Sequence, residues 1–238
     1  MSIARLLFTF AAPLVLASCL LTPGRFTSSL DIRKDRSFTF TYAGEVILLD
    51  PTGEATDQVV KVATADADAG AETTDEEPAV EEPAAAPSKD TPDMIAKRRA
   101  IAAALMKVVG YRSAVYLGQG KFQVDYRLSG TLDRTYVFPF NPDAAAIIPW
   151  VAIEVRKDGT ARVKASGFGD ENANNPMPAP PDQDAKKDRQ GTFTFTTDAE
   201  LVMHNNEEGT APGTARKVVW QVSPATKTPP TAVVRFAG

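Results

Sequence analysis

From residue 25 onward the chain alternates. Phe26, Ser28, Leu30 and Ile32 stand at one parity against Thr27, Ser29, Asp31 and Arg33, and Phe38, Phe40, Tyr42, Val46 and Leu48 share a face opposite Thr39, Thr41 and Glu45. A period of two in residues rich in Phe, Thr and Ile predicts half-buried strands. Lys34-Asp35-Arg36 is a polar break of turn length, so 25–33 and 37–49 read as a β-hairpin. A lone hairpin is marginal in water, which requires 25–49 to pair with strands from later in the chain. The period then lengthens. Thr91-Pro92-Asp93 supplies an N-cap, a first-turn proline and an acidic first turn, and Gly110 a stop, so 92–109 predicts a helix. Met94, Ile101, Leu105, Val108 and Val109 fall on one arc of it. Arg98 intrudes on that arc, and Lys97-Arg98-Arg99 reads as the solvated basic edge of a core-packing helix, with a membrane-surface patch as the alternative.

After residue 113 the signals are nearly all strand. Lys121 to Leu132 alternates Phe122, Val124, Tyr126 and Leu128 against Gln123, Asp125 and Arg127, and Arg134 to Phe140 is a short aromatic run bounded by Pro139 and Pro142. Residues 151–156 and 161–165 flank Lys157-Asp158-Gly159, a hairpin turn. A polar, Pro-rich surface loop follows over 169–189, then strands near 192–203, 216–222 and 231–236. Phe38-Thr39-Phe40-Thr41 with Glu45 to Leu48 is echoed by Phe193-Thr194-Phe195-Thr196 with Glu200 to Met203 at the same spacing. Either an old duplication or two long strands in the same alternating environment explains the echo. The fold class expected is α+β, mostly antiparallel β-sheet with one principal helix packed on it and a disordered acidic insertion, in a single domain over 24–238.

That insertion changes the charge picture. The whole 238-residue chain carries a formal charge of -4, but residues 50–93 alone hold 13 acidic and two basic side chains among Ala, Pro and Thr. So little apolar surface cannot offset the entropy of ordering, and about 51–91 is expected to be disordered. The remainder is net +7. Its bases are scattered and lack interleaved aromatics, so no nucleic-acid partner is expected.

The start of the chain reads as a targeting segment. Arg5 precedes an apolar run from Leu6 to Leu16, too short to cross a bilayer as a helix, so 1–18 is expected to be a signal peptide. Leu16-Ala17-Ser18-Cys19 resembles the lipobox of bacterial lipoproteins, and Cys19 is the only cysteine in the chain. The resemblance implies that Cys19 becomes the mature N-terminus and carries a thioether-linked diacylglycerol and an N-acyl chain such as palmitate. It also implies a short lipidated tether over 19–23. Two or more chains suffice for stable anchoring. Leu20 stands where an Asp favours inner-membrane retention in many Gram-negative bacteria, which implies the outer membrane, facing the periplasm. The order of a lipidated Cys, hairpin, helix and β-rich remainder, with the Val218-x-Trp220-x-Val222 strand and Pro229-Pro230, resembles the LppM-type lipoprotein domain of actinobacteria, best over 199–236, though without that family's C-terminal membrane helix. Lipoproteins of alphaproteobacteria look similar.

Chemistry is sparse. One cysteine excludes an internal disulfide and a multi-thiolate zinc site. Gly118-Gln119-Gly120 lacks the third glycine of a dinucleotide loop and precedes a strand, so it reads as a turn. His204, the single histidine, is expected on the polar face of its strand with Thr194, Thr196, Asp198 and Glu200, near Glu207 and Glu208. A divalent-metal site there competes with an exposed strand-end imidazole, and the second reading is preferred. Asp170-Glu171 and Glu207-Glu208 read as surface acids. The expectation is therefore a membrane-anchored envelope lipoprotein, non-enzymatic and without cofactor, metal or catalytic residue. It would act as a binding or structural module, with an apolar ligand cupped between helix and sheet or an envelope protein as partner. The competing readings are a hydrolase with an unannounced site near His204 and an accessory subunit of an envelope complex.

Overall fold

Alternation at the start of the chain becomes two thirteen-residue strands, β1 (Leu20–Ile32) and β2 (Ser37–Leu49). They are followed by α1 (Pro92–Leu105), β3 (Tyr111–Gly118), β4 (Lys121–Thr131), β5 (Tyr136–Phe138), β6 (Val151–Val155), β7 (Thr160–Lys164), a 3-10 turn at Ser166–Phe168, β8 (Gln190–Thr197), β9 (Glu200–His204), β10 (Arg216–Val222) and β11 (Thr231–Arg235). The structure, a computed structural model, describes residues 20–49, 90–139, 149–170, 187–213 and 215–236. The expected signal peptide, Cys19, most of the acidic stretch and Glu171 lie outside them.

The strands form two sheets. One has six strands in the order β10-β8-β1-β2-β4-β3 and the other five, β5-β6-β7-β11-β9. The hairpin 25–49 sits inside the first sheet: β2 pairs antiparallel with β4, and β1 pairs with β8 in the one parallel contact among the described strands. The two Phe-Thr-Phe-Thr segments flank β1, so Leu30 lies between Phe40 and Phe195, all three fully buried. Each such side chain contributes about 1.5–3 kcal/mol. The echo ends there, because Glu45 to Leu48 continues in the same sheet, whereas the chain leaves it at Asp198-Ala199 and enters the second sheet as β9. The single strand expected over 192–203 is thus two strands in two sheets.

The core lies between the sheets, where aromatic rings stack or meet at a tilt. Phe26 packs on Phe168 (centroids 4.3 Å), Phe40 on Phe138 (4.9 Å), Tyr126 on Phe138 (4.7 Å) and Tyr42 on Trp150 (5.4 Å). The helix therefore closes one side of a two-sheet sandwich, over the edge strand β3, rather than forming the main layer across the sheet. Thr91 caps it, its hydroxyl accepting from the Met94 N–H at 3.3 Å. It stops at Leu105, short of the expected 109, and Val108 and Val109 are exposed instead of joining the buried arc. The helix buries Arg98, Ile101 and Ala102, so Arg98 is no solvated edge; its guanidinium lies over the Tyr116 ring at 5.8 Å. β1 begins at Leu20, opposite Leu49, so 20–23 is strand where a tether was expected.

Candidate functional site

The two ends of the sandwich differ. At the far end the chain turns tightly, at Arg33–Arg36 after β1, at Arg156–Gly159 between β6 and β7, and at Asp198-Ala199; Arg36 lies over the Phe236 ring there at 5.2 Å. At the near end, where β1 begins, three long connections attach. Leu49 and Asp90 bound residues 50–89, Pro139 and Pro149 bound 140–148, and Asp170 and Lys187 bound 171–186. Long connections gathered at one end of a rigid sandwich are where recognition surfaces are usually carried.

Hydrogen bonds define that near end. The Leu48 N–H donates to the Gly120 carbonyl at 2.8 Å, bringing the β3–β4 turn beside the last residues of β2. The Gly118-Gln119-Gly120 segment is indeed a turn, with Gly120 at φ 72°, where a Cβ would also meet the Leu48 carbonyl oxygen at 2.6 Å. The Trp150 indole N–H donates to the Leu21 carbonyl at 3.1 Å, joining the second sheet to the start of β1. On the outer face, Lys121 pairs with Asp188 at 2.7 Å, and Arg25 pairs with the buried Glu45 at 2.8 Å. Burial pushes the Glu45 carboxyl up, but the Arg25 hydrogen bonds and charge outweigh it and hold the group below its ordinary value.

Asp90 anchors the same end. Its side chain is 7% exposed and meets Arg98 Nη1 at 2.7 Å, the Tyr116 hydroxyl, and the Gln119 N–H at 2.9 Å. Arg98 Nη1 also donates to the Tyr116 hydroxyl at 2.9 Å, while its Nε has no partner among the described residues. Burial alone would raise the Asp90 carboxyl. The Tyr116 hydroxyl, the Gln119 N–H and the Arg98 charge more than reverse that, so it sits below the usual carboxylate range. Asp90 and Thr91 thus belong to the folded body, which moves the C-terminal boundary of the acidic stretch to residue 89.

The other sequence candidates fall elsewhere. His204 was expected on the polar face, but a bulge between Val233 and Val234 in the β9–β11 pairing sets Leu201 opposite Val234 and His204 opposite the buried Ala232. The imidazole is half-buried on the inward side, and its Nδ1 accepts the Asn206 N–H at 3.2 Å. Its alternation was read across a change of sheet. Glu207 and Glu208 are exposed, as read, in the loop that follows. The neighbour that sequence reasoning passed over is Asn205: its Oδ1 accepts the Trp220 indole N–H at 3.1 Å and the Thr231 N–H at 2.9 Å, and its Nδ2 donates to the Pro229 carbonyl at 2.8 Å. One amide ties the two sheets together. Arg189, expected in a surface loop, is 5% exposed and donates to the Gly169 and Thr226 carbonyls at 2.8 and 3.3 Å. Burial lowers its pKa.

The class defined by the described residues is a two-sheet β-sandwich with α1 across an edge. No family of known proteins matches the chain, and no curated protein does. Among solved structures it is similar to the NMR structure of the folded domain of the Mycobacterium tuberculosis protein LppM, at 16% identity and a TM-score of 0.34, over 91% of this chain and 92% of that one. Similarity at that level decides nothing about this chain's activity.

Proposed function

We propose that the chain is an envelope lipoprotein, anchored through acylated Cys19, whose body is a non-enzymatic binding or structural module. One observation carries this reading: β1 starts at Leu20, the residue after Cys19, and runs through the middle of the six-stranded sheet. A Cys at that place has its Cα about 3.8 Å from the first strand residue. Acyl chains on it hold the whole sandwich against a membrane by one defined end, with no free tether between. In a Gram-negative cell the membrane is the outer one and the body faces the periplasm. Its ligand or partner would be an apolar molecule or an envelope protein.

The test is Cys19→Ser in cells fed labelled palmitate. The variant is expected to lose the label and to leave the membrane in a carbonate wash, because no other thiol accepts a lipid. A variant still held as tightly as the parent would overturn the reading.

A further inference from the structure

Among the described residues seven large apolar side chains are exposed, at three places: Met106, Val108 and Val109 after α1, Val202 and Met203 on β9, and Val115 and Leu117 on the edge strand β3, 47% and 37% exposed, where Leu117 stands one residue before the turn at the near end. Val115 pairs with the exposed Gln123 and so faces outward, while Tyr116 pairs with the buried Phe122 and faces the core. From β1 to β3 the sheet runs β1-β2-β4-β3, three strand spacings or about 14 Å. Leu21, Leu48 and Gly120 are joined in one row across it. A surface laid across the strand ends along this row meets both the start of β1 and the β3–β4 turn.

Resting on the lipoprotein reading, we infer that the near end is apposed to the bilayer and that Leu117, with Val115 behind it, contacts lipid. The occupant of this apolar edge is the membrane, because the chain outside the structure ends in an acyl anchor one residue from Leu20. Attraction to anionic headgroups does not drive the contact. Lys121 and Arg25 are already paired with Asp188 and Glu45, and the acidic residues 50–89 begin and end at this same end. Apolar insertion beside a covalent anchor is insensitive to salt, whereas a charge-driven contact weakens as salt screens it.

The experiment uses the full acylated protein in phosphatidylethanolamine vesicles, with and without phosphatidylglycerol. A fluorophore is placed in turn through Leu117→Cys, Val115→Cys, and the far-end Lys34→Cys and Lys157→Cys; the Cys19 thiol is blocked by its thioether. Brominated lipid is expected to quench the label at 117 most and at 115 less, and to leave 34 and 157 untouched, with iodide in the buffer giving the reverse order. Neither phosphatidylglycerol nor added salt changes the order. Labels at 117 and 115 as open to iodide as those at 34 and 157 overturn the inference, as does shielding of both from lipid and iodide alike, which would mean that a second copy covers β3. The mass of the N-terminal peptide separates the two readings. An acylated protein with a water-exposed 117 sinks the apposition alone, and an unacylated one sinks both. Unchanged melting temperatures of the 117 and 115 variants confirm that the fold is intact, and the two positions serve as independent probes.

Discussion

Arg98 reaches back from the second turn of α1 to Asp90, eight residues earlier, and the two are buried together against Tyr116. Desolvating both charges costs about as much as their attraction returns, so the pair specifies where the helix docks more than it adds stability. Removing one partner is another matter. Arg98→Met leaves the Asp90 charge buried beside an apolar side chain and is expected to cost about 3–5 kcal/mol in denaturant unfolding. Because the folded Asp90 carboxyl is held below its unfolded value, its contribution is full above the unfolded pKa of about 3.9 and is lost as pH falls through the folded one. The stability gap between the parent and Asp90→Asn is therefore constant near neutrality and shrinks in acid; a gap that grows in acid would contradict the sign. Two neighbouring residues give a second contrast. His204→Ala removes one acceptor from a half-buried turn and should cost about 0.5–1.5 kcal/mol. Asn205→Ala orphans the indole N–H of Trp220, which is 8% exposed, together with the Thr231 N–H, at about 1–3 kcal/mol each, so its loss in melting experiments should clearly exceed that of His204→Ala.

Among the elements, the parallel β1–β8 pair depends on a close approach. A Cβ on Gly191 would lie 2.2 Å from the Phe26 carbonyl oxygen, a backbone atom with no side-chain freedom to move aside. Gly191→Ala is expected to loosen this pair and speed amide exchange in β8 ahead of β4, whereas equal exchange in both strands would show that the sheet absorbs the change elsewhere. The strands themselves were legible because a period of two survives wherever one face is buried: β1, β2, β4 and the β6–β7 hairpin stand where alternation put them. What was not legible has a common cause. Alternation describes which residues share a face, not which sheet the face belongs to, so the crossing at Asp198-Ala199 and the bulge in the β9–β11 pairing reversed the side of His204 without leaving a trace in composition. Arg98 and Arg189 were read as solvent-facing by residue type and Asn205 was not singled out, yet each is held by partners 8 to 37 residues away in sequence, and only tertiary structure brings those partners near.

At the scale of the molecule, the acidic residues 50–89 interrupt a sheet without disturbing its pairing, and the reason is visible at their two ends. The Leu48 N–H and the Asp90 carboxylate are held by consecutive residues of one turn, Gly120 and Gln119, so β2 and α1 leave and re-enter the body side by side. A connector joining them has almost no distance to span. Closing a flexible loop costs only about 0.6 kcal/mol more for each doubling of its length, so the body is nearly indifferent to how many residues lie between. Replacing Thr56 to Ser88 with a short Gly/Ser connector is therefore expected to keep the melting temperature or raise it slightly. The Asp90–Arg98–Tyr116 cluster supplies the check, since it is the part of the body nearest the new junction. If shortening pulled Asp90 out of place, the variant would lose about what Arg98→Met loses, and combining the two changes would cost no more than either alone. If the junction is as short as these hydrogen bonds imply, the connector variant keeps the parent's sensitivity to Arg98→Met in full.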